Sequence, residues 1–476
     1  MKIGMISLGC PKNLVDGEVM LGLAREAGHE LTADAEQADV VIVNTCAFID
    51  RAKQESIDAI LEAAALKDRG ACRRLVVTGC LAERYRDDIH EQIPEVDAVL
   101  GTGEVPAIVG ALQGESDLAV AGSVPAAVGA SPGAGAVRPA VFHRRRPRHE
   151  PLGGRASLPT YLYDASTPRA RATPRHYAYA KVAEGCDYTC AFCIIPRLRG
   201  PYRSRPAGEI VREAEQLAAQ GVRELVLISQ DTTFYGNDRG ERGALAGLLR
   251  QLDRVDGLTW VRLLYLYPTT IDDAMLDAMA EGEKICKYVD LPLQHASDAV
   301  LKRMRRPGTR AGYERLLGRI RQRVPGVTLR TTFIAGFPGE TREEFAELEQ
   351  FVDAVGFDHV GVFTYSHEAG TTAGELDDDV PPAEKRRRQA ALMARQKTLV
   401  RRVQEGRIGQ AVQVMVDGPD PEHPLVMRGR LAGQAPEIDP VVYFTECDPA
   451  TLRSGAVVAT EVVAARDYDL VVRPLP

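Results

Sequence analysis

Three cysteines, Cys186, Cys190 and Cys193, close the run Gly-Cys-Asp-Tyr-Thr-Cys-Ala-Phe-Cys. Their spacing is C-x3-C-x2-C. A cubane iron–sulfur cluster normally takes four thiolates. This loop offers three, which leaves one iron open to a ligand that is not protein. Nine cysteines scattered at random over 476 residues would give this pattern only ~0.003 times per chain, so chance is a poor account of it. Two rivals stand beside the cluster. Zinc sites usually show paired C-x2-C knuckles, or Cys with His, and no second knuckle follows here. Inert buried thiols have no reason to keep a fixed short spacing in a Gly-led, aromatic-containing loop. The spacing favours a 4Fe-4S cluster over both.

A second trio is spread over the first 112 residues. Stretches 2–8, 39–43 and 74–77 read as short buried strands, with helical spacing over 16–27 and 51–67 between them. Such alternation implies a parallel sheet. Each strand runs into a cysteine: Cys10, Cys46 and Cys80. Open parallel sheets bind ligands at the carboxyl ends of their strands, so these thiols are expected to converge on one edge as a second cluster site. The plainer alternative is three unrelated small residues at strand ends, since cysteine is often buried. Cys72, Cys286 and Cys447 have no such company and read as structural.

Hydrophobic content of 45% and charged content of 26% are ordinary for a globular chain, and the length suggests ~3 domains. The N-terminus has no signal-peptide core. No run of ~18 apolar residues reads as a membrane span. An odd cysteine count and a clustered trio point to reduced thiols in the cytoplasm. The net charge of −7 argues against a nucleic acid as the main partner.

Residues 114–175 are rich in Ala, Gly and Pro and read as a partly disordered linker. Their basic run, 143–149, reads as a solvated stretch. Alternation resumes over 176–400, with strands expected at 178–182, 224–229, 260–264, 288–291, 328–334 and 359–363. Helices are expected at 206–220 and 343–355. Six strand–helix units suggest a partial TIM-like barrel, whose chemistry belongs at the carboxyl ends of its strands. Ser229-Gln230-Asp231, Pro292-Leu293-Gln294-His295 and Ala335-Gly336-Phe337-Pro338-Gly339-Glu340 all follow strands. The last run is also a plain strand-to-helix turn, with Thr341 able to cap the next helix. Helix 382–407 is basic, and Lys385-Arg386-Arg387-Arg388 reads as a solvated face. Residues 408–476 read as a small antiparallel β-barrel.

The cysteine motif at 186–193 resembles that of the radical S-adenosylmethionine enzymes, and the whole layout resembles the methylthiotransferases. The implied fold class is α/β: an N-terminal three-layer parallel α/β domain, a central partial TIM-like barrel and a C-terminal antiparallel barrel, the TRAM domain. The implied boundaries are 1–113, 114–175 (linker), 176–404 and 405–476. The resemblance implies that Cys186, Cys190 and Cys193 hold a radical-generating 4Fe-4S cluster, and that Cys10, Cys46 and Cys80 hold an auxiliary one that carries sulfur. It implies that Phe192, Gln230, Gly336 and Glu340 line the S-adenosylmethionine site. A 5′-deoxyadenosyl radical would take a hydrogen atom, so no side-chain base is assigned as catalytic.

Two branches of the family compete. The MiaB type modifies isopentenyl-adenosine in tRNA. The RimO type modifies the β-carbon of one aspartate in ribosomal small-subunit protein S-twelve. Asp290-Leu-Pro-Leu-Gln-His-Ala-Ser-Asp, Cys193-Ile-Ile-Pro-Arg-Leu-Arg-Gly-Pro-Tyr-Arg-Ser-Arg-Pro and Tyr265-Leu-Tyr-Pro resemble the RimO type. Residues 405–476 hold six Arg, no Lys and eleven Asp and Glu, a net −5, which suits a basic ribosomal protein better than tRNA phosphates. The RimO type is therefore expected. It is expected as a cytoplasmic monomer with no membrane contact, reduced by flavodoxin or ferredoxin.

Overall fold

In the computed structural model, which describes residues 1–114 and 158–476, the buried run Val40–Thr45 forms the middle of a five-stranded sheet. The strands are β1 (Lys2–Ser7), β2 (Glu30–Thr32), β3 (Val40–Thr45), β4 (Arg74–Gly79) and β5 (Ala98–Leu100), in the parallel order β2-β1-β3-β4-β5. Side chains alternate across a strand. Val40 and Ile42 pack on one face with Val15 and Val19 of the helix Pro11–Glu26. Val41 and Val43 pack on the other with Ile60 and Ala63 of the helix Asp50–Ala64. These are the three layers expected. Three strands had been expected; β2 and β5 are three-residue strands too short to show a pattern. The first helix starts at Pro11 rather than Asp16, because proline suits the first helical position, where its missing N–H is not needed.

The barrel strands fall where the alternation placed them: β6 (Tyr177–Lys181), then the two-residue pair β7 (Ala183–Glu184) and β8 (Arg203–Ser204), then β9 (Glu224–Ile228), β10 (Trp260–Leu263), β11 (Tyr288–Asp290), β12 (Thr328–Ala335) and β13 (His359–Thr364). Parallel sheets β10-β9-β6 and β11-β12-β13 are joined by the Val261–Ile285 bridge and by Leu266 N–H donating to Asp290 O at 2.9 Å. Ala178, Ala180, Leu225 and Leu227 face the surrounding helices. Tyr177, Tyr179, Val226 and Ile228 face inward, in one cluster with Val15 and Val19 of the first domain. The two units therefore share a core.

Residues 158–175, expected as linker, pack between these units. Arg169 pairs with Glu18 and, at 2.9 Å, with Glu213, while Tyr163 Oη donates to Glu213 at 3.1 Å. Irregular chain carries no period to read, so charge contacts of this kind were not visible. The basic run 143–149 lies outside the described residues. In the basic run of the helix Pro382–Glu405, only Arg386 and Arg387 form the solvated face expected. Lys385 and Arg388, on one face by their i, i+3 spacing, are buried against Asp378 at 2.6 Å and Glu340 at 2.7 Å.

The C-terminal strands β14 (Ala411–Pro419), β15 (Met427–Arg430), β16 (Val442–Phe444), β17 (Val457–Arg466) and β18 (Asp469–Pro474) close in the order β14-β15-β16-β18-β17. Four ladders are antiparallel; β16 and β18 pair in parallel. This small barrel caps the amino ends of the large barrel's strands. Arg430 reaches Glu224 at 2.6 Å, His176 reaches Asp417 at 2.8 Å and Tyr288 Oη donates to Asp439 at 2.6 Å. Part of the −5 charge is thus turned inward: Asp417, Glu437 and Asp439 all accept hydrogen bonds from barrel side chains.

Candidate functional site

The chain leaves β7 through Gly185, at φ 83°, where a Cβ would sit 2.1 Å from Pro201 O, so only glycine fits this approach. Cys186 N–H then donates to Gly200 O at 3.1 Å, and Cys193 N–H to Cys190 O at 3.1 Å. Between them Tyr188 stacks on Tyr267, with centroids 3.9 Å apart, and its hydroxyl donates to Asp231 at 2.8 Å. Asp231 also accepts from Thr233 at 2.5 Å and from Phe234 N–H at 3.1 Å, which fixes it against the loop. Cys190 Sγ lies 3.8 Å from Arg306 Nη1 and 3.9 Å from Tyr267 Oη. Burial, then the neighbouring Cys193 and Cys190, pushes the Cys186 thiol well above its ordinary value, and burial and Cys190 push Cys193 up to about 12.

Cys10, Cys46 and Cys80 stand at the carboxyl ends of β1, β3 and β4, on one edge of the first sheet as their topology required. Gly79, at φ 95°, brings β4 so close to Thr45 that a Cβ would lie 2.5 Å from its carbonyl oxygen. Cys10 stands at the N-terminus of a sixteen-residue helix, its side chain making no capping hydrogen bond, a position that favours thiolate. Burial raises the Cys10 thiol, but Lys12, Arg199 and two backbone N–H groups bring it below its ordinary value. Burial pushes Cys46 up to about 11, with Cys10 adding to it, and pushes Cys80 to about 12, with Cys46 and Cys10 adding to it. Protons held this firmly leave when a bound metal supplies the charge. Among the described residues no three such groups converge on a single-ion position. A cubane needs no such point, because its thiolates sit on separate irons.

The two trios are tied together by buried charge. Arg199, six residues after Cys193, crosses to the first domain. Its Nη2 lies 3.7 Å from Cys80 Sγ and 3.4 Å from Asn13 Oδ1, while Nη1 reaches Asp16 at 3.0 Å and Glu184 at 3.1 Å. Lys181 pairs with the same two carboxylates, at 2.6 Å for Glu184. Burial acts to raise Glu184, but Arg199 and Lys181 pull it far below the usual carboxylate range. Gln230 Nε2 donates to Glu184 at 2.8 Å, and Gln230 Oε1 is buried without a partner among the described residues.

Of the remaining expected residues, Phe192 packs beside Ala191, Met304 and Phe337 next to the cysteine loop. Gly336 N–H donates to Glu340 Oε2 at 2.7 Å, Phe337 N–H donates to the same oxygen at 3.1 Å, and Arg388 donates to Oε1 at 2.7 Å. The Glu340 carboxylate is therefore engaged in closing its own turn, and Thr341 caps the helix that follows. No role follows from the sequence for Lys12, Arg199, Tyr267 or Arg306, although Arg199 and Tyr267 lie in runs that resemble the RimO type. Each acts on a thiol, and only Lys12 lies within five residues of a cysteine of its own trio.

Comparison with known proteins follows the same divisions. The model of Uncharacterized protein family UPF0004 matches residues 2–101, the Radical SAM superfamily matches 181–352, and the TRAM domain matches 408–474. The protein of Koribacter versatilis named Ribosomal protein uS12 methylthiotransferase RimO is 48% identical, covering 100% of this chain and 96% of that one. The protein of the same name from Trichlorobacter lovleyi is 44% identical, covering 99% and 97%. Among solved structures, the radical S-adenosylmethionine methyltransferase TsrM of Kitasatospora setae, with cobalamin and a [4Fe-4S] cluster bound, superposes with a TM-score of 0.53 at 18% identity, over 78% of this chain and 74% of that one. At that identity the likeness speaks for the fold alone.

Proposed function

The chain belongs to the RimO family of ribosomal protein uS12 methylthiotransferases, and from that premise we propose that Cys186, Cys190 and Cys193 hold one 4Fe-4S cluster and Cys10, Cys46 and Cys80 the other. The enzyme is a radical S-adenosylmethionine methylthiotransferase that uses two such clusters and S-adenosylmethionine. Its relatives carry the uS12 name, so the tRNA reading is set aside. Held by Cys186, Cys190 and Cys193, a 4Fe-4S cluster with S-adenosylmethionine would supply a carbon radical able to take a hydrogen atom from an unactivated aspartate β-C–H.

The chain's own residues do the placing. Tyr188, Tyr267 and Asp231 hold the 186–193 loop. Phe192, Gln230 and Gly336 line the S-adenosylmethionine site, and Glu340 braces it through the Gly336 amide. Arg199 and Glu184 keep the two trios in fixed relation. The observation that carries this reading is that both trios lie at carboxyl strand ends and are joined through Arg199.

The domains run 1–113, 176–404 and 405–476. The substrate is the uS12 aspartate, the reductant is flavodoxin or ferredoxin, and the enzyme works as a cytoplasmic monomer. No helix among the described residues is long and apolar enough to cross a membrane.

The test is iron content. Anaerobically reconstituted protein should hold about eight iron atoms, and each triple Cys→Ala variant about four. Replacing Cys10, Cys46 and Cys80 should stop methylthio transfer to uS12 yet spare cleavage of S-adenosylmethionine. A radical-trio variant that keeps all its iron rejects the assignment.

A further inference from the structure

Among the described residues, no carboxylate forms an ion pair with the buried Lys12. Its residue is 7% exposed. Its Nζ donates to Ser229 O at 3.2 Å and stands 3.3 Å above the Tyr265 ring. An ammonium has three donors, and these two contacts do not use them all. The carboxylates whose charge reaches it, Glu184 and Asp290, are taken by others. Glu184 is held by Lys181, Arg199 and Gln230; Asp290 is held by Arg330 at 2.8 Å and by Tyr265 N–H at 2.9 Å. The charge closest to it is that of Cys10, whose thiol it helps to lower, and a buried ammonium with one hydrogen bond keeps donors for an acceptor that enters the site.

The position says which. Lys12 follows Cys10 by two residues and touches the loops after β9 and β10, at the carboxyl mouth of the barrel. Tyr265, which it covers, sits at φ 61°, a strained conformation for a bulky residue of the kind that collects at ligand sites. A β-carbon that gives up hydrogen on the barrel side and receives sulfur on the Cys10 side must lie between the two. In an aspartate the carboxylate is bonded directly to that carbon.

Resting on the function given above, we propose that Lys12 binds the carboxylate of the uS12 aspartate, so that a charge-assisted hydrogen bond holds the β-carbon between radical and sulfur. The competing account is that Lys12 only offsets the charge of the auxiliary cluster. The two part company in what they couple to: the first links Lys12 to the substrate's charge, the second to the cluster alone.

The experiment is a cycle of two enzymes and two substrates. Parent and Lys12→Met are each given uS12 and uS12 with its target aspartate changed to asparagine, and binding is read by fluorescence anisotropy on both the cluster-loaded and the metal-free full chain. The parent should bind the aspartate form about tenfold more tightly than the asparagine form. Lys12→Met should bind both alike, at the parent's asparagine level. Reading the metal-free chain keeps the comparison valid if Lys12→Met loses iron. Lys12→Gln, which can still donate to Ser229 O, replaces Lys12→Met if that variant fails to fold. A variant that prefers aspartate as strongly as the parent does, or a parent with no preference, overturns the proposal. Absence of any methylthio transfer to uS12 by the parent would instead reject the function on which it rests.

Discussion

Arg199 Nη2 stands 3.7 Å from Cys80 Sγ, so the segment that carries the radical trio also delivers a cation to the auxiliary one. Reduction adds negative charge to a cluster, and nearby positive charge and hydrogen bonds to sulfur favour it. In a protein whose radical trio has been replaced, Arg199→Met should therefore make the auxiliary cluster harder to reduce. The expected change is about tenfold in the reduced-to-oxidised ratio at fixed poise, about 59 mV for one electron. Arg199→Lys, which keeps charge but loses the fork, should recover most of it. The measurement is a redox titration followed by electron paramagnetic resonance. An unchanged midpoint in iron-replete Arg199→Met would remove Arg199 from any part in tuning the cluster.

The strands and the thiols were legible in the sequence, and the ties between them were not. Val40–Thr45 is apolar enough to be read as a buried parallel strand, and the six barrel strands expected from the sequence lie within a residue or two of their expected places. Cys10, Cys46 and Cys80 were legible because a βα repeat puts its strand ends on one edge. Arg199 and Lys12 were not. Arg199 meets Cys80 across 119 positions and Lys12 meets Ser229 across 217, and no local period encodes contacts of that separation. The same holds for Lys385 and Arg388, which look like part of a solvated run until Asp378 and Glu340 are brought over them. Glu340 stood out for its place in a Gly-rich turn, but its neighbours Gly336 and Phe337 and the distant Arg388 decide what its oxygens bind.

Glu340→Gln tests that turn. The substitution keeps an acceptor for the Gly336 and Phe337 amides and removes the charge facing the buried Arg388, which keeps Glu384 at 2.8 Å. The cost should be about 2 kcal/mol, the range for a hydrogen bond to a charged group, read from the denaturant midpoint. The loss should also depend on pH. Burial acts to raise the Glu340 carboxyl, but His295 and Arg388 hold it below its ordinary value. A group lowered in this way stabilises the fold above its unfolded pKa of about 4.3 and loses that contribution as pH falls through the folded value. The gap between parent and Glu340→Gln should therefore be full near neutrality and close in acid. A gap that does not change with pH would mean that the carboxylate charge is not what Arg388 needs.

The outward acids of the small C-terminal barrel make the remaining case. Asp417, Glu437 and Asp439 serve the joint with the large barrel and are not free for a partner. Glu422, Glu446 and Asp448 are exposed. The domain covers the amino ends of the large barrel's strands, whereas the thiol loops open at the carboxyl ends, so its charge is placed to steer a basic protein rather than to hold the reacting aspartate. Steering by exposed charge acts on the association rate and is screened by salt. Changing Glu422 and Glu446 to Gln and Asp448 to Asn together should slow association with uS12 a few-fold at low ionic strength. The dissociation rate and iron content should stay as they were, and at high salt parent and variant should converge. Stopped-flow binding at several salt concentrations reads all of this. If the triple variant associates as fast as the parent at low salt, the exposed acids do not guide uS12, and recognition lies at the carboxyl face, where Lys12 stands.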